Sequence, residues 1–136
     1  MFQVLTIIQS ERAIIPGQVP HRHAVLNVQR AAFLVAQVTQ GRSEGLRAAM
    51  RDYLHQPYRS SLVPGLSEIL AMPDREGLLG VALSGAGPTV IAVADGREAE
   101  IGGDMQEIFR RHGLASAVRI LKADQQGLTL ESFGEP

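Results

Sequence analysis

Apolar and polar positions along the chain change period several times, and each change marks an element. Two unbroken apolar runs, Leu78–Leu83 and Val90–Ala94, have the length and β-branched content of buried strands. Between them stand Ser84, Gly85, Ala86, Gly87, Pro88 and Thr89, a tight connection made of residues without bulk. Glycines at 85 and 87 let the backbone take positive φ and let another body approach closely. Residues 2–9 read as an earlier strand, ended by Ser10, Glu11 and Arg12. Pro16 and Pro20 then push their predecessors out of the helical basin and make a turn region.

Residues 23–40 contain neither Gly nor Pro and are mostly apolar, which predicts a long, largely buried helix closed by Gly41. Ser43 is placed to cap a second helix over 44–53, with Leu46, Met50 and Leu54 on one face. Two prolines, a glycine and two serines make 55–65 irregular. A short helix over 66–71 precedes Pro73. A third long helix follows over 97–112, with Ile101, Met105, Ile108 and Phe109 inward and Gly113 as its cap. Strands over 115–122 and 128–131 flank a turn at 124–127, and residues 134–136 should fray.

The resulting string is β-α-α-α-β-β-α-β-β. Without the two shorter helices it is βαββαβ with an extra edge strand. That predicts an α+β fold, a ferredoxin-like split βαβ sandwich whose antiparallel sheet carries its helices on one face. The 136 residues, 45% hydrophobic, suit one domain over 1–136, with no internal repeat.

Composition removes several function classes. No run is long and apolar enough to span a bilayer, and the N-terminal stretch lacks a basic start and a small-residue cleavage site. The expected location is therefore cytoplasmic, with no membrane partner. The absence of cysteine excludes disulfides and thiolate metal sites. A net charge of −1, together with central strands free of aromatics, argues against a nucleic-acid partner. Charge is nevertheless uneven: residues 1–64 hold seven arginines against three acids, whereas the remainder is net acidic. Arginine suits fork-like recognition of carboxylate or phosphate.

Candidate chemistry is sparse. The 84–89 loop is neither a Walker loop, since it has no GK[ST] ending, nor a G-x-G-x-x-G fingerprint. It is either a plain glycine hairpin or a nest of N–H groups for an anion. Arg12 follows a strand end beside a Pro-rich turn, and Arg59 lies in the irregular segment; a solvated surface role is the alternative for each. His55 lies beside Pro57, Tyr58 and Arg59, while Asn27 and Arg30 form either an inward polar spot or a wet side of the long helix. His21 and His23 form H-x-H without an arranged third ligand, so no metal site is expected. No nucleophile stands paired with a base, and no catalytic side chain is assigned.

Leu83 followed by Ser84-Gly85-Ala86-Gly87-Pro88-Thr89 resembles the third sequence motif of the GHMP kinases, L-S-G-S-G-P-[ST], with Ala86 in place of the usual Ser. Within that superfamily the chain is similar to the homoserine kinase branch. Glu11-Arg12 with Ile15-Pro16 resembles its A-R-x-x-L-P segment, and Asn27 to Ala31 resembles its N-x-x-R/K-A stretch. Asp52 to Arg59 with Val63-Pro64 resembles its D-x-x-H/I-x-P-x-R…[IV]-P stretch. The likeness covers residues 6 to 95 in order.

The resemblance implies a C-terminal GHMP kinase domain, and P-x-x-x-G-L-G-S-S-A, the ATP-phosphate loop of the N-terminal domain, is absent from the sequence. It implies that Arg12 and Arg59 hold the carboxylate of L-homoserine, with His55 and Asn27 as neighbours. Ser84, Gly85, Ala86, Gly87 and Thr89 are implied to brace the phosphate loop of the N-terminal kinase domain. ATP and Mg2+ belong to the full-length enzyme, none being expected on this chain alone, which would be inactive by itself. The alternatives are a stand-alone ferredoxin-like module that binds a small molecule or forms a homodimer, and the C-terminal domain of a mevalonate- or galactose-type GHMP kinase.

Overall fold

A computed structural model describes residues 13–127. The expected strands at 2–9 and 128–131, and Arg12, lie outside the described residues. Helix α1, His21–Thr39, begins directly after Pro20, whose fixed φ and missing N–H suit a helix start. It ends in a Schellman turn: Gly41, at φ +64°, donates to Val38 O at 3.1 Å, and Arg42 donates to Gln37 O at 2.9 Å.

The helix is not largely buried as its composition implies. Among its residues only Gln37 is buried, while Val28, Val35 and Val38 are 71%, 62% and 65% exposed. Its polar positions 23, 27 and 30 face residues 52 and 53 instead. Periodicity cannot separate the two faces when both are rich in small or apolar residues.

The second helix is shorter than expected. α2, Leu46–Ala49, starts after Gly45 without a side-chain cap, so Ser43 does not act as one. The segment expected to be irregular holds α3, Gln56–Arg59, with Pro57 in its first turn, where a missing N–H costs nothing. Then come α4, Leu66–Leu70, the strands β1, Leu78–Leu83, and β2, Val90–Ala94, and α5, Glu98–Arg111. Gly113, at φ +77°, closes α5 by a second Schellman turn, with Leu114 N–H donating to Phe109 O at 2.9 Å.

β1 and β2 pair antiparallel from Leu83↔Val90 to Leu78↔Ala94, with a bulge between Leu78 and Gly80. The extra residue shifts the alternation, so Leu78 and Val81 reach the same side despite odd spacing. That side meets α4 and α5 in a core of Ile69, Met72, Leu78, Ile101, Met105 and Ile108, with Val81, Val90, Ala92 and Ala94 packed on it. Ile69 and Ile101 are fully buried or nearly so, each burial contributing roughly 1.5–3 kcal/mol. Around the core, Glu68 on α4 accepts from Arg111 at 2.5 Å and lies 3.1 Å from His112 Nε2 at the end of α5. Contact with His112 and Arg111 holds the Glu68 carboxyl below its usual range.

An antiparallel sheet with α4 and α5 packed on its core side gives the α+β class that the pattern implies, while α2 meets the other side at Gly80. The strand expected over 115–122 does not form among the described residues. Its alternating apolar residues find no ladder partner there, and Ile120 and Leu121 stand exposed. The segment is held against α5 by Gln106 Nε2 donating to Ser116 O at 2.7 Å and by Val118 lying over Gly102.

Candidate functional site

The connection after β1 is narrow because the backbone closes on itself. Ser84 N–H donates to Thr89 O at 2.8 Å, and Gly87 N–H donates to Ser84 O at 3.1 Å. Gly85 and Gly87 sit at φ +59° and +91°, a region L side chains rarely adopt. A Cβ added at Gly85 would meet nothing within 4 Å, so that flank of the loop is open. Ser84, Pro88 and Thr89 are exposed, and Ala86 is half-buried.

Against this loop lies α3. Asp52 accepts from the N–H of His55 and of Gln56 at 2.6 Å each through Oδ2, and from Leu54 N–H at 3.2 Å through Oδ1. One carboxylate therefore serves three successive amides ahead of and within the first turn of α3, which would otherwise lack acceptors. Asn27 on α1 donates to Asp52 Oδ1 at 2.5 Å and accepts from Tyr53 N–H at 2.9 Å. Partial burial raises the Asp52 pKa, but the bonds from Asn27 and from the Gln56, His55 and Leu54 amides outweigh it and leave the carboxyl below its ordinary value.

The same region is gripped from α1 by stacking. The rings of His23 and Tyr53 lie 4.8 Å apart and 15° from parallel, and the Arg30 guanidinium stands 4.4 Å over the Tyr53 ring. Hydrogen bonding and charge from Arg30, then the charges of Arg22 and Arg51, bring the Tyr53 phenol below its usual pKa despite some desolvation.

Arg59 closes the arrangement. Its Nη1 donates to Gly85 O at 2.7 Å across 26 residues of sequence. Its Nε is buried without a hydrogen-bond partner, and no carboxylate among the described residues pairs with it. A buried guanidinium donor left open is an unmet demand for an acceptor. Gln56 bridges the same elements, donating to Met50 O at 3.3 Å and accepting from Leu83 N–H at 2.9 Å. Together Asp52, His55, Gln56, Arg59, Leu83, Gly85 and Ala86 bound a cleft of about 420 Å³.

Of the residues singled out in sequence, the structure brings Arg59, His55 and the glycine loop to one cleft. Asn27 spends both polar ends on Asp52 and Tyr53. His55 is exposed at the cleft edge, with Nδ1 3.3 Å from Asp52 Oδ1. Asp52 and Gln56 belong to the D-x-x-H/I-x-P-x-R stretch but are not among the expected site residues. Their signal is an acid a few residues ahead of a proline in a first helical turn, a helix-start pattern hidden in a segment that composition marks as irregular.

With this geometry in place, comparison with known proteins gives a consistent result. The family model for the GHMP kinases C terminal matches residues 34–111. A homoserine kinase of Carboxydothermus hydrogenoformans is 40% identical over 126 residues, covering 93% of this chain and 40% of that protein. A homoserine kinase of Aquifex aeolicus is 40% identical over 132 residues, covering 96% of this chain and 44% of that protein. The crystal structure of a homoserine kinase from Cytophaga hutchinsonii superposes with a TM-score of 0.69 at 30% identity, over 76% of this chain and 33% of that one. The chain thus spans about two fifths of the length of these curated relatives.

Proposed function

Because the chain belongs to the GHMP kinases C-terminal family, we propose that it is the substrate-side part of a homoserine kinase, serving ATP-dependent phosphoryl transfer to the hydroxyl of L-homoserine in cytoplasmic threonine biosynthesis. The observation that carries this reading is the Arg59–Gly85 contact, which sets a guanidinium beside the glycine loop in the wall of the cleft.

In this reading Arg59, with Arg12 as its implied partner, clamps the amino-acid carboxylate. A fork of parallel N–H donors matches a carboxylate in geometry as well as in charge. His55 borders the bound molecule, and Asn27 acts at one remove through Asp52. The open flank of Gly85, with Ser84, Ala86, Gly87 and Thr89, receives the phosphate-binding loop of an ATP-binding domain, where small residues permit close approach. The chain's contribution is to bind the amino acid by its carboxylate and so place its hydroxyl, while stabilisation of the transferring phosphoryl group falls to the ATP-binding domain.

The described residues do not fit ATP and Mg2+ on their own. Among them no three His, Cys, Asp or Glu gather as a metal site, and the 84–89 loop has no lysine. Those groups are assigned to the ATP-binding domain, and the chain by itself has no kinase activity. No described helix is long and apolar enough to cross a membrane.

A second reading, a self-pairing module, is favoured by the bare valine stripe on α1. A chimera separates the two. In the Carboxydothermus kinase, the 126 matching residues are replaced by the matching residues of this chain, and ADP release is followed with L-homoserine, mevalonate and galactose. Turnover with L-homoserine alone is expected. A folded, ATP-binding chimera that turns over none of the three would leave only the module.

A further inference from the structure

Arg59 is useful as a clamp only if its guanidinium is held beside the loop, and the contact to Gly85 O is a single hydrogen bond at a half-exposed site. A long side chain fixed by one such bond loses much of its gain to rotamer entropy. The backbone below it is fixed far more firmly. Asp52 gathers the amides of Leu54, His55 and Gln56, and Asn27 ties that carboxylate to α1. Gln56, only 8% exposed, accepts from Leu83 N–H, the last strand residue before the loop, and donates to Met50 O. Arg59 follows Gln56 by one helical turn, so both side chains leave α3 on the same flank. They reach the loop at two points two residues apart, Leu83 and Gly85.

We propose that Asp52 and Gln56 are positioning residues for the substrate-carboxylate clamp: Asp52 sets the first turn of α3, and Gln56 locks that turn to the root of the glycine loop. Together they fix the distance between the Arg59 backbone and the loop. The guanidinium then already stands beside the loop when a carboxylate enters the cleft, and such preorganisation lowers the cost of binding. This assignment rests on the homoserine kinase reading for what Arg59 is held ready to do. The device itself is written in contacts of this chain. Neither residue touches the reacting atoms in this account, and each acts through Arg59.

The test uses the 136-residue chain and reads no turnover. NMR follows the amide signals of Gly85 and Ala86, the Nε–H exchange rate of Arg59, and the methyl signals of Ile69 and Ile101 as a control for the core. The variants are Asp52→Ala, Gln56→Ala and, as reference, Arg59→Ala. In both positioning variants the Gly85 and Ala86 signals should move at least half as far as in Arg59→Ala. The Arg59 Nε–H should exchange at least tenfold faster, with the core methyls unmoved. Loop signals and Arg59 exchange that stay at wild-type values in Gln56→Ala would overturn the proposal. So would loss of the core methyl signals in both variants, because the two residues would then serve the fold as a whole. An inactive chimera in the preceding experiment would not produce either result, so the two readings fail separately.

Discussion

Arg59 and Gly85 are the residues on which the account turns, and one was legible in sequence for a different reason from the other. The glycines announced a loop that bulk must avoid. The arginine stood out through its Pro-Tyr-Arg context and its likeness to a kinase segment, not through any property of a lone arginine. Asp52 is visible in sequence only as the first residue of the D-x-x-H/I-x-P-x-R stretch; its role comes from three amides that converge on it once the chain folds. Its lowered pKa has a consequence for stability. A carboxyl depressed in the folded state stabilises the protein above its unfolded pKa, near 3.8, and that contribution fades as pH falls through the lower folded value. Urea unfolding of wild type and Asp52→Asn should therefore show a constant gap from pH 7 to about 4.5, narrowing steadily below about 4. A gap that grows on acidification would show that the carboxylate is not stabilised as its hydrogen bonds require.

At the level of elements, the chain reported its strongest periodicities faithfully. The hairpin β1–β2 and the helices α1, α4 and α5 occur where the apolar pattern and the glycine stops place them. Short elements were misjudged, because α2 and α3 are single turns fixed by tertiary contacts rather than by propensity. The expected strand at 115–122 shows a complementary limit: alternation of apolar residues makes a strand only where a partner edge receives it, and none among the described residues does. Helix α5 offers a direct check, since it carries two adjacent glycines with opposite surroundings. A Cβ at Gly102 would come within 2.6 Å of Val118 Cγ1, whereas one at Gly103 would meet nothing within 4 Å. Gly103→Ala should raise stability by about 0.5–1 kcal/mol through helix propensity. Gly102→Ala should gain less or lose, because Val118 must give way. Thermal unfolding of the two variants measures the difference, and equal gains would mean that residues near 118 do not lie on α5.

For the whole molecule, the distribution of surfaces explains what the sequence alone left open. Helix α1 presents His23, Asn27 and Arg30 to the site segment and leaves Val28, Val35 and Val38 to solvent. The polar side holds the cleft in place while the apolar side remains uncovered. That inversion of the usual inward-facing stripe could not be read from residues 23–40, where nearly every face is apolar enough to be buried. A bare apolar face and an open glycine loop are two surfaces on which another body can pack, whether a second domain or a second copy. In the proposed function the substrate carboxylate is received by the Arg59 fork, with Arg12 as its implied partner. The most direct measurement is the homoserine dependence of the chimeric kinase with and without Arg59→Ala. Loss of one partner of a desolvated charge pair costs about 2 kcal/mol or more, so KM for L-homoserine should rise about 30-fold or beyond while kcat stays within about threefold. A KM that does not change would contradict the claim that this guanidinium receives the substrate carboxylate.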